Sequence, residues 1–289
     1  MAIVGVGLIG GSVGMALRAR RLADNVVGVG RDAERLSAAI RRGAIDSAQT
    51  DLARGVAEAD VVVVCTPVGR IAEDSLAAAL HGPAHLLVTD AGSTKSAIVA
   101  SLEATPEARE KFVGAHPIAG SERSGVEAAS ADLFLDRCCI LATTERTPAE
   151  RLRRARTFWL SLGCQVHEMS PESHDHALAL TSHLPHVVSS ALAGVVPPEL
   201  LSYSAGAFRD GTRVAASDAG LWAEIFLANR RNLLQALDGF EGRLQGFRAA
   251  LAKAEAPPLI AWWNEGLPRQ PAPFDVCKAT TPLAEPRSA

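Results

Sequence analysis

An α/β fold is predicted for this sequence of 289 residues, with a doubly wound parallel sheet followed by an all-α domain. Three observations predict it. The chain opens on a short apolar run that enters a glycine-rich turn. Strand-like and helix-like segments then alternate to about residue 170. Beyond Pro171 the strand signal stops and only helical periodicity continues. Alternation of this kind builds a parallel sheet with helices on both faces.

Ala2–Val6 reads as the first strand and Gly10–Arg20 as its helix. Asn25–Gly30 is the second strand and Ala33–Arg42 the second helix. Asp60–Thr66 contains Val61-Val62-Val63-Val64-Cys65, a continuous apolar run suited to a strand buried on both faces. Arg70–Leu80 reads as helix, His85–Asp90 as strand, Lys95–Leu102 as helix and Lys111–Ala115 as a short strand. Cys138–Ala142 and Cys164–Glu168 read as two further strands around a helix from Pro148 to Leu162. In the second half, Glu172–Val196, Glu199–Phe208, Gly220–Glu241 and Gly242–Ala254 read as helices. Leu221, Ile225, Leu227, Leu233, Leu234, Leu237, Phe240 and Leu244 recur at helical spacing, a face that suits core packing or a second copy. After Ala254 come 7 of the 16 prolines, so a Pro-rich, partly disordered extension is expected, with Trp262-Trp263 anchoring its start. The domains are therefore drawn at 1–170, 171–254 and 255–289.

Composition narrows the function classes. An apolar fraction of 48% and a mean hydropathy of +0.12 suit a globular enzyme. A net charge of −3 argues against a nucleic-acid partner. No apolar run reaches the roughly 18 residues that span a membrane, and no signal peptide precedes the first strand. Five cysteines, odd in number and without C-x-x-C spacing, suit reduced thiols and a cytoplasmic location.

The turn Gly5-Val6-Gly7-Leu8-Ile9-Gly10 has the spacing G-x-G-x-x-G between strand and helix, the sign of a dinucleotide site. Gly5 would allow the tight turn, Gly7 the approach of a pyrophosphate and Gly10 close helix–strand packing. The helix N-terminus would offer unpaired N–H groups and a positive dipole end. Gly5, Gly7, Leu8, Ile9 and Gly10 are thus candidate cofactor residues. An acidic residue roughly 20 positions further on marks an NAD site, yet Gly30 stands there, followed by Arg31 and Asp32. A guanidinium suits a ribose 2′-phosphate, so Arg31 favours NADP over NAD, while a shifted Asp32 could still reach a ribose. Thr66-Pro67, after the third strand identified above, would abut the nicotinamide.

Further segments carry chemistry: Asp90-Ala91-Gly92-Ser93-Thr94-Lys95, then Gly114-Ala115-His116-Pro117-Ile118-Ala119-Gly120-Ser121-Glu122. Thr181-Ser182-His183-Leu184-Pro185-His186 follows, then Gly211-Thr212-Arg213, with Trp222 nine positions on. Together with the glycine turn they resemble the prephenate/arogenate dehydrogenase family of tyrosine biosynthesis, from the first strand to about Phe247. The resemblance implies a Rossmann domain followed by a helical dimerisation domain, and hence a homodimer. It implies oxidative decarboxylation, in which hydride leaves the ring carbon bearing the hydroxyl and the ring carboxylate departs as carbon dioxide. No chorismate mutase or ACT segment is recognised, which implies a monofunctional form.

By resemblance, His116 takes the hydroxyl proton, a role that suits a neutral imidazole, and Ser93 orients the ring. Arg213 binds the departing carboxylate, which a permanently charged guanidinium can do without protonating it. His186 faces the substrate side chain, His183 supports the site, and Ser121 and Glu122 line the entrance. Four histidines, His174, His176, His183 and His186, lie close in sequence. Only His183 and His186 share a helix face, so no metal site is expected. A non-acidic His186 favours the keto substrate prephenate over arogenate. A β-hydroxyacid dehydrogenase would need a lysine in the helical half, where only Lys253 and Lys278 occur. A non-catalytic dinucleotide sensor would not need His116, Ser93 and Arg213.

Overall fold

The structure, a computed structural model, describes residues 1–121 and 123–267. Eight strands form one sheet: β1 Ala2–Val4, β2 Val27–Val29, β3 Ser47–Gln49, β4 Val61–Val64, β5 Leu87–Asp90, β6 Phe112–Pro117, β7 Cys138–Ala142 and β8 Gln165–Met169. Their order is β3-β2-β1-β4-β5-β6-β7-β8. Helices α1 (Leu8–Ala19), α2 (Ala33–Arg41), α3 (Leu52–Val56), α4 (Val68–His81), α5 (Ser96–Glu103), α6 (Pro106–Arg109) and α7 (Ala149–Ser161) connect them. Helices α8 (Pro171–Leu178), α9 (Leu184–Val195), α10 (Gly206–Thr212), α11 (Ala219–Ala228), α12 (Arg230–Ala252) and α13 (Ala256–Asn264) make the second half.

The apolar runs work as two-sided strands. Ile3 and Val63 pack into the core on one face, and Ala2, Val4, Val62 and Val64 into the core on the other. Alternate side chains of a strand point to opposite faces, so a sheet covered twice needs apolar residues at every position.

Several expectations need correcting. The sheet is mixed rather than wholly parallel: β6 pairs antiparallel with β7, and β7 pairs parallel with β8. Among the described residues the β6–β7 connection holds only a 3₁₀ turn, Val126–Ala128, and without a crossover helix the chain returns antiparallel. The sequence reading passed over β3, α3 and α6. Strand β3 is a polar edge with Ser47 and Gln49 exposed, so it lacks an apolar signature. Strand β6 runs on through His116 to Pro117. Helix α12 is continuous across the break expected at residue 241, and the break falls instead at Asn229. Helix α13 lies in the segment read as a Pro-rich extension. There the Trp262 indole donates to the Arg243 carbonyl (3.1 Å) and meets the Phe247 ring at a tilt, 5.0 Å between centroids, whereas Trp263 is exposed. Residues 268–289 of that extension lie outside the described residues.

One stretch, Pro171–Val195, is by length and composition apolar enough to cross a membrane, with 25 residues and a mean hydropathy of 1.2. Its buried side chains nevertheless include His174, Asp175, His183 and Ser189, and it packs on α5 and α12. Ser170 caps its N-terminus by accepting from the Ser173 N–H (3.1 Å), and Pro171 takes the first position, where a missing N–H costs nothing. Between α8 and α9 the helix widens into a π turn, Ala179–His183. Pro185 has no N–H to return to the α ladder, and such breaks accommodate a π turn.

Two glycines fix how α1 leaves the sheet. Gly5 has φ +90°, and a Cβ there would lie 2.8 Å from the Cys65 carbonyl oxygen. A Cβ on Gly10 would meet the Gly5 carbonyl oxygen at 2.1 Å and Ile3 at 2.9 Å. Gly10→Ala must push the helix off the strand, an overpacking cost of about 1–3 kcal/mol. Chemical denaturation is expected to show a lower midpoint at unchanged m-value.

Candidate active site

Two parts of the same sheet edge make the site. The order β3-β2-β1-β4-β5-β6 changes direction between β1 and β4, and ligands of doubly wound sheets bind at that switch point, beyond the strand C-termini. A cleft of about 900 Å³ lies there, lined by Gly5, Gly7, Arg31, Thr66, Pro67 and Ser124 among others. Gly7 has open space where a Cβ would stand. The Thr66 hydroxyl is buried without a hydrogen-bond partner. An open glycine and an unpaired buried hydroxyl in one cleft fit a dinucleotide, since each acquires a use when one is bound. Leu8 and Ile9 form the first turn of α1, half-buried. Asp32 also lines the cleft, and its Oδ1 caps α2 by accepting from the N–H groups of Glu34 (3.0 Å) and Arg35 (3.1 Å).

The second part stands further along the edge, at the ends of β5 and β6. Asp90 closes β5. Its carboxylate accepts from the N–H groups of Gly92 and Ala115 (both 2.9 Å) and pairs with Lys95, fully buried beside it. These bonds lock the Ser93 loop to the strand that carries His116. His116 Nδ1 lies 2.9 Å from His174 Nε2, and His174 Nδ1 lies 2.8 Å from Asp175 Oδ1. The Asp175 carboxylate also accepts from the N–H groups of Lys95 (2.7 Å) and Ser96 (2.9 Å). Burial opposes its ionisation, but hydrogen bonds from His174, Ser96 and Lys95 outweigh that and hold it below the usual carboxylate range. Burial, with the neighbouring charges of His174, Lys95 and His183, keeps His116 well below the ordinary histidine value. Burial likewise lowers His174 against the pull of Asp175.

Asn229, at the junction of α11 and α12, ties in a third histidine. Its side-chain amide donates to the Asp175 backbone carbonyl (2.6 Å) and lies 3.1 Å from His183 Nδ1. The carbonyl can only accept, so the amide nitrogen faces His183, whose Nδ1 accepts and whose Nε2 carries the proton. That Nε2 is buried and unpaired. Burial pushes His183 down to about 4. His186 stacks on Trp222 at 3.6 Å between ring centroids, and His183 meets the same indole edge-on at 6.1 Å. His186 Nδ1 donates to the Ser182 carbonyl (2.9 Å). Burial lowers its pKa, and the charge of Arg213 adds to that, which places Arg213 within electrostatic reach.

Of the residues the sequence singled out, His183 and His186 meet at Trp222, Arg213 lies within electrostatic reach of His186, and His116 within that of His183. Ser93 is half-buried in the loop after β5. Ser121 is exposed and accepts from the Arg123 N–H (3.1 Å), and Glu122 lies outside the described residues. His174, Asp175, Lys95 and Asn229 were missed as parts of the site. For His174 the available signal is an adjacent His-Asp pair at the start of a capped helix.

Comparison with known proteins identifies relatives of both halves of the chain. Residues 13–168 match the family described as "Prephenate dehydrogenase, nucleotide-binding domain", and residues 170–265 "Prephenate dehydrogenase, dimerization domain". The chain is 36% identical over 278 residues to the cyclohexadienyl dehydrogenase of Zymomonas mobilis, covering 92% of each. The crystal structure of prephenate dehydrogenase from Aquifex aeolicus, in complex with hydroxyphenyl propionate and NAD+, superposes with a TM-score of 0.85 at 34% identity. The match covers 93% of this chain and 96% of that one. Synechocystis arogenate dehydrogenase superposes with a TM-score of 0.75 at 29% identity, covering 92% and 97%.

Two outcomes follow from the site. Gly7→Ala should leave the denaturation midpoint unchanged, because its Cβ meets nothing, while weakening dinucleotide binding measured by calorimetry at least tenfold. For His183, the folded value of about 4 lies below the ordinary 6.5, so between those pH values the unfolded chain binds more protons. Its contribution to stability is complete above pH 6.5 and is lost as pH falls toward 4. Nitrogen-15 NMR should show its ring still neutral at pH 5.5.

Proposed function

The chain belongs to the prephenate dehydrogenase family, and on that basis we propose that it converts prephenate to 4-hydroxyphenylpyruvate, with NADP as the preferred cofactor. It is a nicotinamide-dependent oxidoreductase. The observation that carries the reaction is His116, a neutral imidazole fixed within β6 on the same sheet edge as the cleft.

A nicotinamide bound in the cleft supplies the hydride acceptor. His116 takes the proton of the ring hydroxyl as hydride departs, which needs its unprotonated form. Ser93, on the locked loop beside it, orients that hydroxyl. Arg213 holds the ring carboxylate as the anion that leaves as carbon dioxide. Trp222, stacked on His186, gives the substrate a flat apolar wall and limits water.

The NADP preference is supported by Gly30 directly after β2 and by Arg31 lining the cleft, while Asp32 has one carboxylate oxygen engaged in the cap of α2. A homodimer through the helical domain is supported by exposed apolar side chains on α11 and α12, among them Leu227 at 72% and Leu234 at 50%. The thiols of Cys65, Cys139 and Cys164 suit a cytoplasmic enzyme.

One observation favours arogenate as a second substrate. With Nδ1 donating to Ser182, neutral His186 presents Nε2 as an acceptor, which suits the ammonium of arogenate. Its protonated form would donate to the side-chain carboxylate that both substrates carry.

Prephenate and arogenate, each offered with NAD+ and NADP+, should give the highest kcat/KM for prephenate with NADP+; a dominant rate with arogenate reverses the substrate assignment. Arg31→Ala should raise KM for NADP+ about 10–100-fold, the worth of a charge-assisted contact, with little change for NAD+. His116→Asn should lower kcat by about 10²–10⁴ at unchanged cofactor affinity, and Arg213→Ala should raise the substrate KM. Because the active form of His116 is unprotonated and its pKa lies well below 6.5, kcat/KM should stay flat down to pH 6.5 and fall only below it.

A further inference from the structure

We propose that His174 and Asp175 are positioning residues that fix His116 in one tautomer, with the proton on Nδ1 and the lone pair on Nε2. The argument rests on the reading of His116 as the proton acceptor, and it starts from the far end of the chain of bonds. Asp175 takes two backbone N–H groups as an anion, so its Oδ1 can only accept from His174 Nδ1 at 2.8 Å. A neutral His174 with its proton on Nδ1 has a bare Nε2. That nitrogen accepts from His116 Nδ1 at 2.9 Å, and the acceptor left on His116 is Nε2. Reversing any one proton leaves two facing lone pairs or two facing N–H groups inside a buried cluster, each an unmet polar group that disfavours the arrangement.

The geometry is rigid at both ends. His116 sits in β6, paired with Ile140 of β7. His174 is fully buried in the first turns of α8, and Asp175 is anchored to the start of α5. The ionisable groups facing the relay are Lys95, Asp90 and His183. The Lys95–Asp90 pair and a neutral His183 leave the relay no other proton source inside the cluster. An acceptor histidine also spreads the positive charge that His116 gains when it takes the hydroxyl proton, without itself having to titrate.

The relay is tested by two readouts, one of them independent of turnover. Long-range nitrogen-15 spectra of the ring nitrogens in the parent enzyme should show His116 protonated on Nδ1 and bare on Nε2; a proton on Nε2 overturns the proposal whatever the substrate proves to be. Asp175→Asn must set its NH2 against the backbone N–H of Lys95 or of Ser96; with the NH2 at the Oδ1 position it donates to His174 Nδ1, the chain reverses and His116 should carry its proton on Nε2. Turnover of prephenate should then fall about 10³–10⁴-fold in kcat, as when a carboxylate that sets a histidine tautomer is replaced by its amide. Should that variant not fold, His174 carries the test. His174→Gln, whose side-chain carbonyl can still accept from His116, should retain at least a tenth of the parent kcat, whereas His174→Leu should lose at least a hundredfold. NADP binding by both should stay within twofold of the parent. Equal kcat for the two variants, or a loss confined to KM, overturns the positioning role. A parent protein that shows the predicted tautomer but turns over neither prephenate nor arogenate upholds the relay and removes the proposed activity.

Discussion

The arrangement of the whole site depends on one buried carboxylate, Asp175. Its two oxygens receive three hydrogen bonds, from the N–H groups of Lys95 and Ser96 and from His174, while its backbone carbonyl receives a fourth from Asn229. Those partners come from α5, α8 and the α11–α12 junction. A single residue therefore registers the substrate helices against the sheet and holds the histidines near the edge. Buried polar clusters repay their desolvation only when every member is paired, which leaves Asp175 few alternatives to its observed position.

The same logic runs through the neighbouring pair, Asp90 and Lys95. Asp90 receives N–H groups from the loop that follows its own strand and from the next strand, so the ends of β5 and β6 move as one piece. The lysine fills the space behind them, fully buried and paired. The cleft at the β1/β4 switch point and the histidine at the end of β6 thus stand on a common rigid edge. The flexible choices, Arg31 and the exposed helical face, lie at its margins.

Much of this was legible in the sequence because it rests on local rules. The glycine turn could be read because its spacing is a local pattern, although only Gly10 answers to its own strand and turn while Gly5 answers to Cys65 after β4. The apolar runs of β1 and β4 could be read because burial on two faces leaves no polar position. Strand β3 could not, since an exposed polar edge takes its structure from the neighbour it pairs with. The reversal of β7 was equally silent, because strand direction depends on a long connection rather than on the strand's own residues. Of the site, His116, His183, His186 and Arg213 stood in recognisable segments. Asp175 and Asn229 did not, since a carboxylate acting through backbone N–H groups of α5, 80 residues away, has no local signature.

The π turn at Ala179–His183 sets the angular phase of the substrate helix. At 3.6 residues per turn each residue advances about 100°, so His174 and His183, nine residues apart, would point about 180° apart on an uninterrupted α-helix. A π turn absorbs one extra residue without advancing the face. The angle then closes to about 80°, and that between His174 and His186 to about 20°. The widened turn thus acts as a one-residue spacer that swings two histidines round to the side on which a third already stands. A straight helix could bring the same three side chains together only if it were one residue shorter.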